Sequence, residues 1–216
     1  MTVLLFVSTI VVFLAIDYFL RRNKAAVAVL QPVLQKAIPM RTPAGIFFTK
    51  SHTWLSLFPS GKVQLGIDDF LARMFSAPQV SLLKNASEHV VKGEPILRVS
   101  EGGNEVIVRS PIDGVIDTVN ATLPKNPSLL NEALFSEGWA YTIKPSRTND
   151  LRAFYLGEDT RVWLRTEMGR LRDFFAQAAG PVPAFMQDGG LPAGGLMDRM
   201  NPEQCKRFES EFLRIE

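Results

Sequence analysis

The sequence is nearly devoid of the side chains that form cross-links or bind transition metals. Its 216 residues include one cysteine, Cys205, and two histidines, His52 and His89. A single cysteine excludes an intramolecular disulfide and a cysteine-based zinc site, and it fits a reducing compartment. Two histidines without nearby cysteines do not favour a metal site, so we predict no bound metal. We expect His52, beside Trp54, to be packed or hydrogen-bonded.

The sequence also lacks a charge excess and any recognisable catalytic motif. Lys and Arg total 24 against 22 Asp and Glu, and a formal net charge of +2 argues against nucleic acid as the main partner. No serine lies in a nucleophile elbow, and no spacing of histidine and acid supports a triad. Asp68 and Asp69 are predicted to begin a helix, where carboxylates cap free N–H groups. We therefore predict no catalytic residue and no enzyme activity.

A long apolar run is present at the start of the chain. From Thr2 to Leu20 only Asp17 is charged, and about twenty helical residues cross a hydrocarbon core of about 30 Å. The basic residues follow this run, whereas a cleavable signal peptide carries them before it. We predict a transmembrane anchor at residues 1–22 of a single-pass protein in the cytoplasmic membrane, with the rest of the chain in the cytoplasm. A buried core helix is the alternative.

Residues 23–45 are interrupted by three prolines, Pro32, Pro39 and Pro43. Proline removes a backbone donor and biases the preceding residue away from helix. The segment is therefore predicted to be a juxtamembrane linker with at most a short helix.

From residue 46 to residue 145 the apolar pattern has the period of a strand. The predicted strands are Ile46–Thr49, Thr53–Leu57, Val63–Ile67, Gln79–Leu83, Pro95–Ser100, Glu105–Arg109, Gly114–Val119 and Ala140–Ile143. One helical stretch, Asp68–Phe75, places Phe70, Leu71 and Met74 toward the core. Many short strands at this spacing predict a mainly β protein, a small antiparallel barrel or sandwich.

Six blocks of this region resemble the glycine-cleavage-system H protein family. They are H-T-W-L (52–55), G-K-V-Q-L-G-I-D-D-F (61–70), V-V-K-G-E-P-I (90–96), S-P-I-D-G-V-I-D-T-V-N (110–120), P-S-L-L-N (127–131) and S-E-G-W-A-Y-T-I (136–143). Their order and spacing cover residues 46–145. The resemblance implies a barrel-sandwich hybrid, the fold of lipoyl carriers.

The resemblance also implies where a lipoyl cofactor would be attached. In that family a lysine at a hairpin tip, eight residues before the proline of the S-P-x-x-G block, carries lipoate; here that position is Gly103, counted from Pro111. No lysine lies between Lys92 and Lys125. Glycine offers no amine for the amide bond, although Gly102 and Gly103 suit a tight turn that needs positive φ. We predict a degenerate lipoyl position and no cofactor.

An amphipathic helical extension is predicted at residues 146–179. Within it Leu164, Met168, Leu171 and Phe175 form an apolar stripe at helical spacing. Arginines line the other faces, namely Arg161, Arg165, Arg170 and Arg172. The stripe either packs on the barrel with the arginines in solvent, or the basic helix contacts anionic lipid or an acidic partner.

Residues 180–216 are predicted to be a Gly/Pro-rich segment followed by a terminal helix. The segment 189–195, G-G-L-P-A-G-G, lacks the Lys-Ser/Thr of a phosphate loop and is interpreted as flexible linker. Asn201 and Pro202 are typical of a helix start, and the helix needs a covering surface from the barrel or from another subunit. Dispersed apolar residues on residues 180–200 predict ordering on a partner. The candidate protein-interaction residues are Phe185, Met186, Leu191, Leu196, Met197, Phe208 and Phe212.

Two functions remain open. The favoured one is a non-enzymatic, membrane-tethered adaptor or accessory subunit, in which a non-lipoylated H-protein-like domain docks a protein partner in a membrane complex. The alternative is a carrier or transferase component related to lipoyl-dependent glycine cleavage. Fold alone does not decide between them.

Overall fold

The computed structural model describes residues 39–177 and 195–215. Within these two ranges no helix is both long enough and apolar enough to span a bilayer. The predicted anchor at residues 1–22, most of the linker predicted at 23–45, and residues 178–194 lie outside the described residues.

The described chain is built mainly from antiparallel strands in two sheets. The strands are β1 (Ile46–Phe48), β2 (Thr53–Leu57), β3 (Val63–Ile67), β4 (Gln79–Leu82), β5 (His89–Val90), β6 (Pro95–Glu101), β7 (Asn104–Arg109), β8 (Gly114–Val119) and β9 (Tyr141–Pro145). One sheet has six strands in the order β1-β2-β3-β9-β8-β5, and the other has three in the order β4-β6-β7. The mainly β sandwich that the sequence predicts is therefore present.

The strand predictions are confirmed with small differences at the ends. Each of the predicted strands is found, and no boundary differs by more than two residues. The strand β5 was not predicted, because its two residues, His89 and Val90, are too few to show a period-two pattern. The short helix α2 (Leu129–Glu132) was also not predicted.

One buried tyrosine joins the two sheets. Tyr141 of β9 donates its hydroxyl proton to the carbonyl oxygen of Ile96 in β6 at 2.7 Å, and it accepts from the backbone N–H of Lys84 at 3.1 Å. The phenol hydroxyl both donates and accepts a hydrogen bond, so it is buried between the sheets without an unsatisfied polar atom. This contact aligns β9 with the β6–β7 hairpin.

A glycine makes room for the largest side chain of the core. Trp54 of β2 is paired with Gly66 of β3 and is fully buried. A Cβ atom at Gly66 would lie 2.7 Å from the indole Nε1 of Trp54. Any larger residue at position 66 would therefore displace the indole ring.

The helix α1 (Asp69–Ala72) begins as predicted. Asp68 is its N-cap, and its Oδ1 accepts from the backbone N–H of Leu71 at 2.9 Å. The next residue, Asp69, is 1% exposed and pairs with Arg41 at 2.6 Å and with Arg73 at 2.8 Å. The described end of the predicted linker is thus fastened to the barrel by Arg41.

The two C-terminal helices pack on the barrel with their apolar faces. They are α3 (Glu158–Gln177) and α4 (Pro202–Phe212). In α3 the predicted stripe faces inward: Leu164, Leu171 and Phe175 are buried and Met168 is partly buried. In α4 Asn201 and Gln204 form a capping box and Pro202 is the first helical residue, so the predicted helix start is confirmed. Their apolar faces are covered within the chain, partly by the barrel and partly by each other, since Phe174 of α3 contacts Phe208 and Phe212 of α4.

Candidate functional site

The tip of the β6–β7 hairpin is a two-residue turn made of Gly102 and Gly103. Both have positive φ, 61° and 87°, which matches the glycine-rich turns that fit the twist of a hairpin. A Cβ atom at Gly103 would meet nothing within 4 Å, whereas one at Gly102 would lie 2.8 Å from the Cβ of Asp198. Gly103 thus faces open space while Gly102 faces the chain's own C-terminal segment.

Residues 195–213, which we call the C-terminal cover, lie along the strand β7. The side-chain amide of Asn104 donates to the carbonyl oxygens of Met197 at 2.8 Å and Met200 at 2.6 Å. Asn104 is 8% exposed, so these bonds are largely shielded from water. A short 3₁₀ helix, Met197–Arg199, holds the two carbonyls in place.

The cover also binds backbone groups of β7, which is an edge strand of its sheet. Cys205 Sγ donates to the carbonyl oxygen of Glu105 at 3.1 Å, and the N–H of Ile107 donates to Glu209 Oε2 at 3.4 Å. Burial raises the pKa of the Cys205 thiol, which keeps it protonated and able to donate. Because an edge strand presents unpaired N–H and C=O groups, the cover prevents pairing with other chains there.

The hairpin tip is also held by the loop after α1. The carboxylate of Glu101 accepts from the backbone N–H groups of Ser76, at 3.0 and 3.1 Å, and of Ala77. In the same loop the carbonyl oxygen of Met74 accepts from the N–H of Met197 at 2.9 Å. The tip is therefore held by two segments of the same chain, which also contact each other.

The structure corrects part of the predicted interaction surface. Leu196, Met197, Phe208 and Phe212 are at most 1% exposed and belong to the chain's own core. Their burial within the chain leaves these side chains no surface for another protein. The physical reason is that the hairpin edge and α1 provide the apolar surface that these side chains need. The other predicted interaction residues, Phe185, Met186 and Leu191, lie outside the described residues.

A second cluster is centred on His52, which is completely buried. His52 has a left-handed backbone with φ 57°, and its ring stacks on Phe70 with centroids 3.9 Å apart. Its Nδ1 donates to Asp68 Oδ2 at 2.8 Å, and the backbone N–H of Asp68 donates to the carbonyl oxygen of His52. The prediction that His52 is packed and hydrogen-bonded is confirmed.

The cluster extends from the barrel to the helix α3 through Glu167. The Nε2 atom of His52 lies 3.8 Å from Glu167 Oε2, which is too long for a hydrogen bond but within reach of an ion pair. Glu167 also accepts from Arg170 Nη1 at 2.7 and 2.8 Å. The sequence does not predict this contact. Glu167 is one of several charged residues on α3, and only the fold determines which of them faces His52.

The charges of the cluster favour an imidazolium between two carboxylates. Burial lowers the pKa of His52, but the charge and hydrogen bond of Asp68 and the charge of Glu167 raise it on balance. Burial raises the pKa of Glu167, but His52 and Arg170 lower it on balance. Because His52 is completely buried between these two acids, the cluster links the barrel to the helix α3.

The described part of the chain contains no set of side chains that could bind a metal ion. Across residues 39–177 and 195–215, no group of three or more His, Cys, Asp or Glu side chains is arranged to hold a metal ion.

Comparison with known proteins identifies similar chains. The family described as "Glycine cleavage H-protein" matches residues 46–166. The glycine cleavage system H protein of a Thermus thermophilus strain is 32% identical to this chain over 52% of it and 87% of the relative, and that of Stenotrophomonas maltophilia is 29% identical over 50% and 83%. A crystal structure of a glycine cleavage system H protein from Mycobacterium marinum aligns at 24% identity, with a TM-score of 0.44, over 48% of this chain and 86% of that one.

We predict that the His52 cluster makes stability depend on pH. A raised His52 pKa contributes stability that is complete below about pH 6.5, the unfolded value, and is lost as pH rises through the folded pKa. A lowered Glu167 pKa contributes stability that is lost as the solution is acidified. Replacing His52 by Asn, which tolerates positive φ, should cost roughly 3–5 kcal/mol and remove the alkaline loss.

The measurement is urea unfolding of the full chain in mild detergent, followed by tryptophan fluorescence between pH 5 and pH 10. Lys62→Met is the control, because it breaks the exposed Lys62–Asp117 pair and should leave stability nearly unchanged. An unchanged alkaline slope in His52→Asn would show that another group causes the pH dependence.

We also predict that Asn104 holds the C-terminal cover closed. Asn104→Ala removes two hydrogen bonds to Met197 and Met200, so the cover should open roughly ten-fold more often, with faster amide hydrogen exchange in α4. The control is Asn85→Ala, which removes an exposed contact with Glu88 away from the cover. Equal exchange in α4 for both variants would contradict this role of Asn104.

Proposed function

This chain belongs to the glycine cleavage H-protein family, and we propose that it is a member without a lipoyl arm that acts as a non-enzymatic, membrane-tethered adaptor. In this proposal residues 1–22 hold the protein at the cytoplasmic membrane, and the barrel docks a protein partner in a membrane-associated complex. The observation that carries the proposal is the amine-free tip of the β6–β7 hairpin.

The missing arm is supported by the chemistry of the tip. An amide to lipoate requires a lysine ε-amine, and the turn consists of Gly102 and Gly103 flanked by Glu101 and Asn104. None of these side chains is an amine, and no lysine occurs between Lys92 and Lys125. The tip still forms a hairpin turn, so in this proposal only the attachment point is lost.

The docking role is supported by what surrounds the tip. The contacts of Glu101, Gly102 and Asn104 with the loop after α1 and with the cover hold the hairpin in one position. A swinging carrier needs a tip that presents its cofactor to several enzymes, whereas a docking block needs a rigid surface. The step from rigid surface to adaptor is an analogy with the carrier family.

The alternative is a carrier or transferase component of a glycine cleavage pathway. It is favoured by the relatives, which are glycine cleavage system H proteins by name. In that case another group, or a partner's lipoyl arm, would be handled at Gly102 and Gly103. The mass of the native protein distinguishes the two functions.

We predict that the native chain carries no lipoyl group and that Gly103→Lys restores an acceptor. A side chain at Gly103 meets nothing within 4 Å, although the positive φ costs about 1 kcal/mol for a residue with a Cβ. Both proteins are incubated with lipoate, ATP and a lipoate–protein ligase, and the intact mass is measured. Gly61→Lys is the matched control, since Gly61 is also an open turn glycine with φ 78°.

The expected result is one added lipoyl group on Gly103→Lys and none on the native chain or on Gly61→Lys. A lipoyl-sized mass on the native protein isolated from cells would overturn the proposal and favour the carrier.

We further predict that the barrel, and not the anchor, binds the partner. Two variants test this, one lacking residues 1–22 and one with these residues replaced by an unrelated membrane span. The first should leave the membrane fraction after carbonate washing. The second should stay there and still co-purify a stoichiometric protein from detergent extracts, as measured by quantitative mass spectrometry. If carbonate washing removes the native chain from the membrane, the protein is not tethered by a membrane span. If the native chain is purified from detergent extracts without a partner, the docking role is contradicted.

A further inference from the structure

A cleft of about 210 Å³ lies away from the hairpin tip, between the β1–β2 turn and the end of the described chain. Its walls come from the turn at Thr49 and Ser51, from the segment Ala153–Tyr155, and from Arg214 and Ile215. Two backbone hydrogen bonds between Phe48 and Tyr155, at 2.9 and 2.8 Å, fix one wall to β1. The cleft is therefore bounded by elements that are held in place.

The cleft is positively charged and contains no acid among the described residues that line it. Lys50, Lys92 and Arg214 contribute cations. The charged groups of Lys92 and Arg214 are exposed and have no ion pair or side-chain hydrogen bond with any residue in the described ranges. Two cations without a counter-charge at one cleft favour an anion, and an arginine guanidinium offers two parallel donors to phosphate or carboxylate.

The rest of the lining is aromatic and apolar, with two hydroxyl groups at its base. Phe154 and Tyr155 line the cleft, and the Tyr155 ring is held by stacking on Trp163 with centroids 4.8 Å apart. The hydroxyls of Thr49 and Ser51 are hydrogen-bonded to each other at 3.0 Å, and both side chains are buried. The ligand that fits this lining has an apolar or aromatic body as well as an anionic group.

A neighbouring cleft extends the positive surface. It shares Arg214 and adds Arg109 and Lys206, with Glu209 as its acid. Arg109 is held by the carbonyl oxygen of Gly93 at 3.1 Å and lies 3.9 Å from Glu209. The resulting field attracts anions toward Arg214 from solution.

We infer that the cleft at Lys92 and Arg214 is a binding site for a small, water-soluble organic anion, in which a phosphate or carboxylate contacts the two cations and an apolar or aromatic body lies against Phe154 and Tyr155. The size supports a small ligand, because the cleft is below the range of about 300–1,000 Å³ typical of sites for drug-sized molecules. This site is separate from the hairpin tip and does not depend on whether the protein is an adaptor or a carrier.

The test uses the full chain in phosphatidylcholine nanodiscs and phenyl phosphate as the probe. Binding is measured by saturation-transfer NMR. Phenol is the control that has the aromatic ring but no phosphate, and inorganic phosphate is the control that has no ring. We expect phenyl phosphate to bind at least about ten-fold more tightly than phenol, and to be displaced by inorganic phosphate only at higher concentration. Binding should weaken with added salt.

Charge reversal tests the two cations separately. Lys92→Glu and Arg214→Glu should each weaken phenyl phosphate binding by about ten-fold or more, whereas Lys125→Glu, at an exposed lysine that does not line the cleft, should change it by less than about two-fold. Lys92 lies in the loop between β5 and β6 and Arg214 follows α4, so a folding defect in one variant leaves the other informative. Unfolding midpoints are measured for all three variants.

Three outcomes would overturn the inference. They are equal affinity for phenol and phenyl phosphate, unchanged binding in both cleft variants, and an equal loss in Lys125→Glu. The binding measurement is repeated in phosphatidylglycerol nanodiscs to distinguish a soluble anion from a lipid headgroup. Unchanged binding there is expected for a soluble ligand, and loss of binding would show that the cleft takes lipid headgroups instead.

Discussion

The edge of the strand β7 is the constraint on which the described structure depends. An edge strand exposes N–H and C=O groups that attract other strands, and a protein must cover them or blunt them. Here the chain covers its own edge: Asn104 binds the carbonyls of Met197 and Met200, Cys205 binds the carbonyl of Glu105, and Glu209 binds the N–H of Ile107. The apolar face of α4 is buried by the same contact. The C-terminal cover therefore both bonds the backbone groups of the β7 edge and buries its own apolar side chains.

The His52 cluster has the corresponding role for the other C-terminal helix. An uncompensated buried charge is costly, but His52 lies between Asp68 and Glu167, and Glu167 is further balanced by Arg170. Asp68 serves two purposes, since one oxygen caps α1 and the other holds the imidazole. The position of α3 on the barrel is thereby specified by charge as well as by the buried stripe of Leu164, Leu171 and Phe175.

These two attachments bear on function through the hairpin that they surround. The β6–β7 hairpin turns at Gly102 and Gly103, and the C-terminal cover supports this tip through Asn104 and lies against Gly102. In the proposed adaptor, a hairpin held in this way would serve as part of a fixed interface. The cationic cleft near Arg214 is lined by residues outside the hairpin tip, so the proposed ligand site and the tip do not overlap.

Local features were determined by the sequence alone. The period-two strands, the N-caps at Asp68 and Asn201, the glycine turn and the apolar stripe of α3 each depend on neighbouring residues, and the described structure contains all of them. The two-residue strand β5 was missed because it is too short to carry a pattern. Only the tertiary structure decided which surface covers Leu196, Met197, Phe208 and Phe212, which we had assigned to a partner, and which acid faces His52. The sequence shows which apolar faces and charged side chains must be covered or paired. It does not show which residues cover or pair them, because those contacts form between segments far apart in the chain.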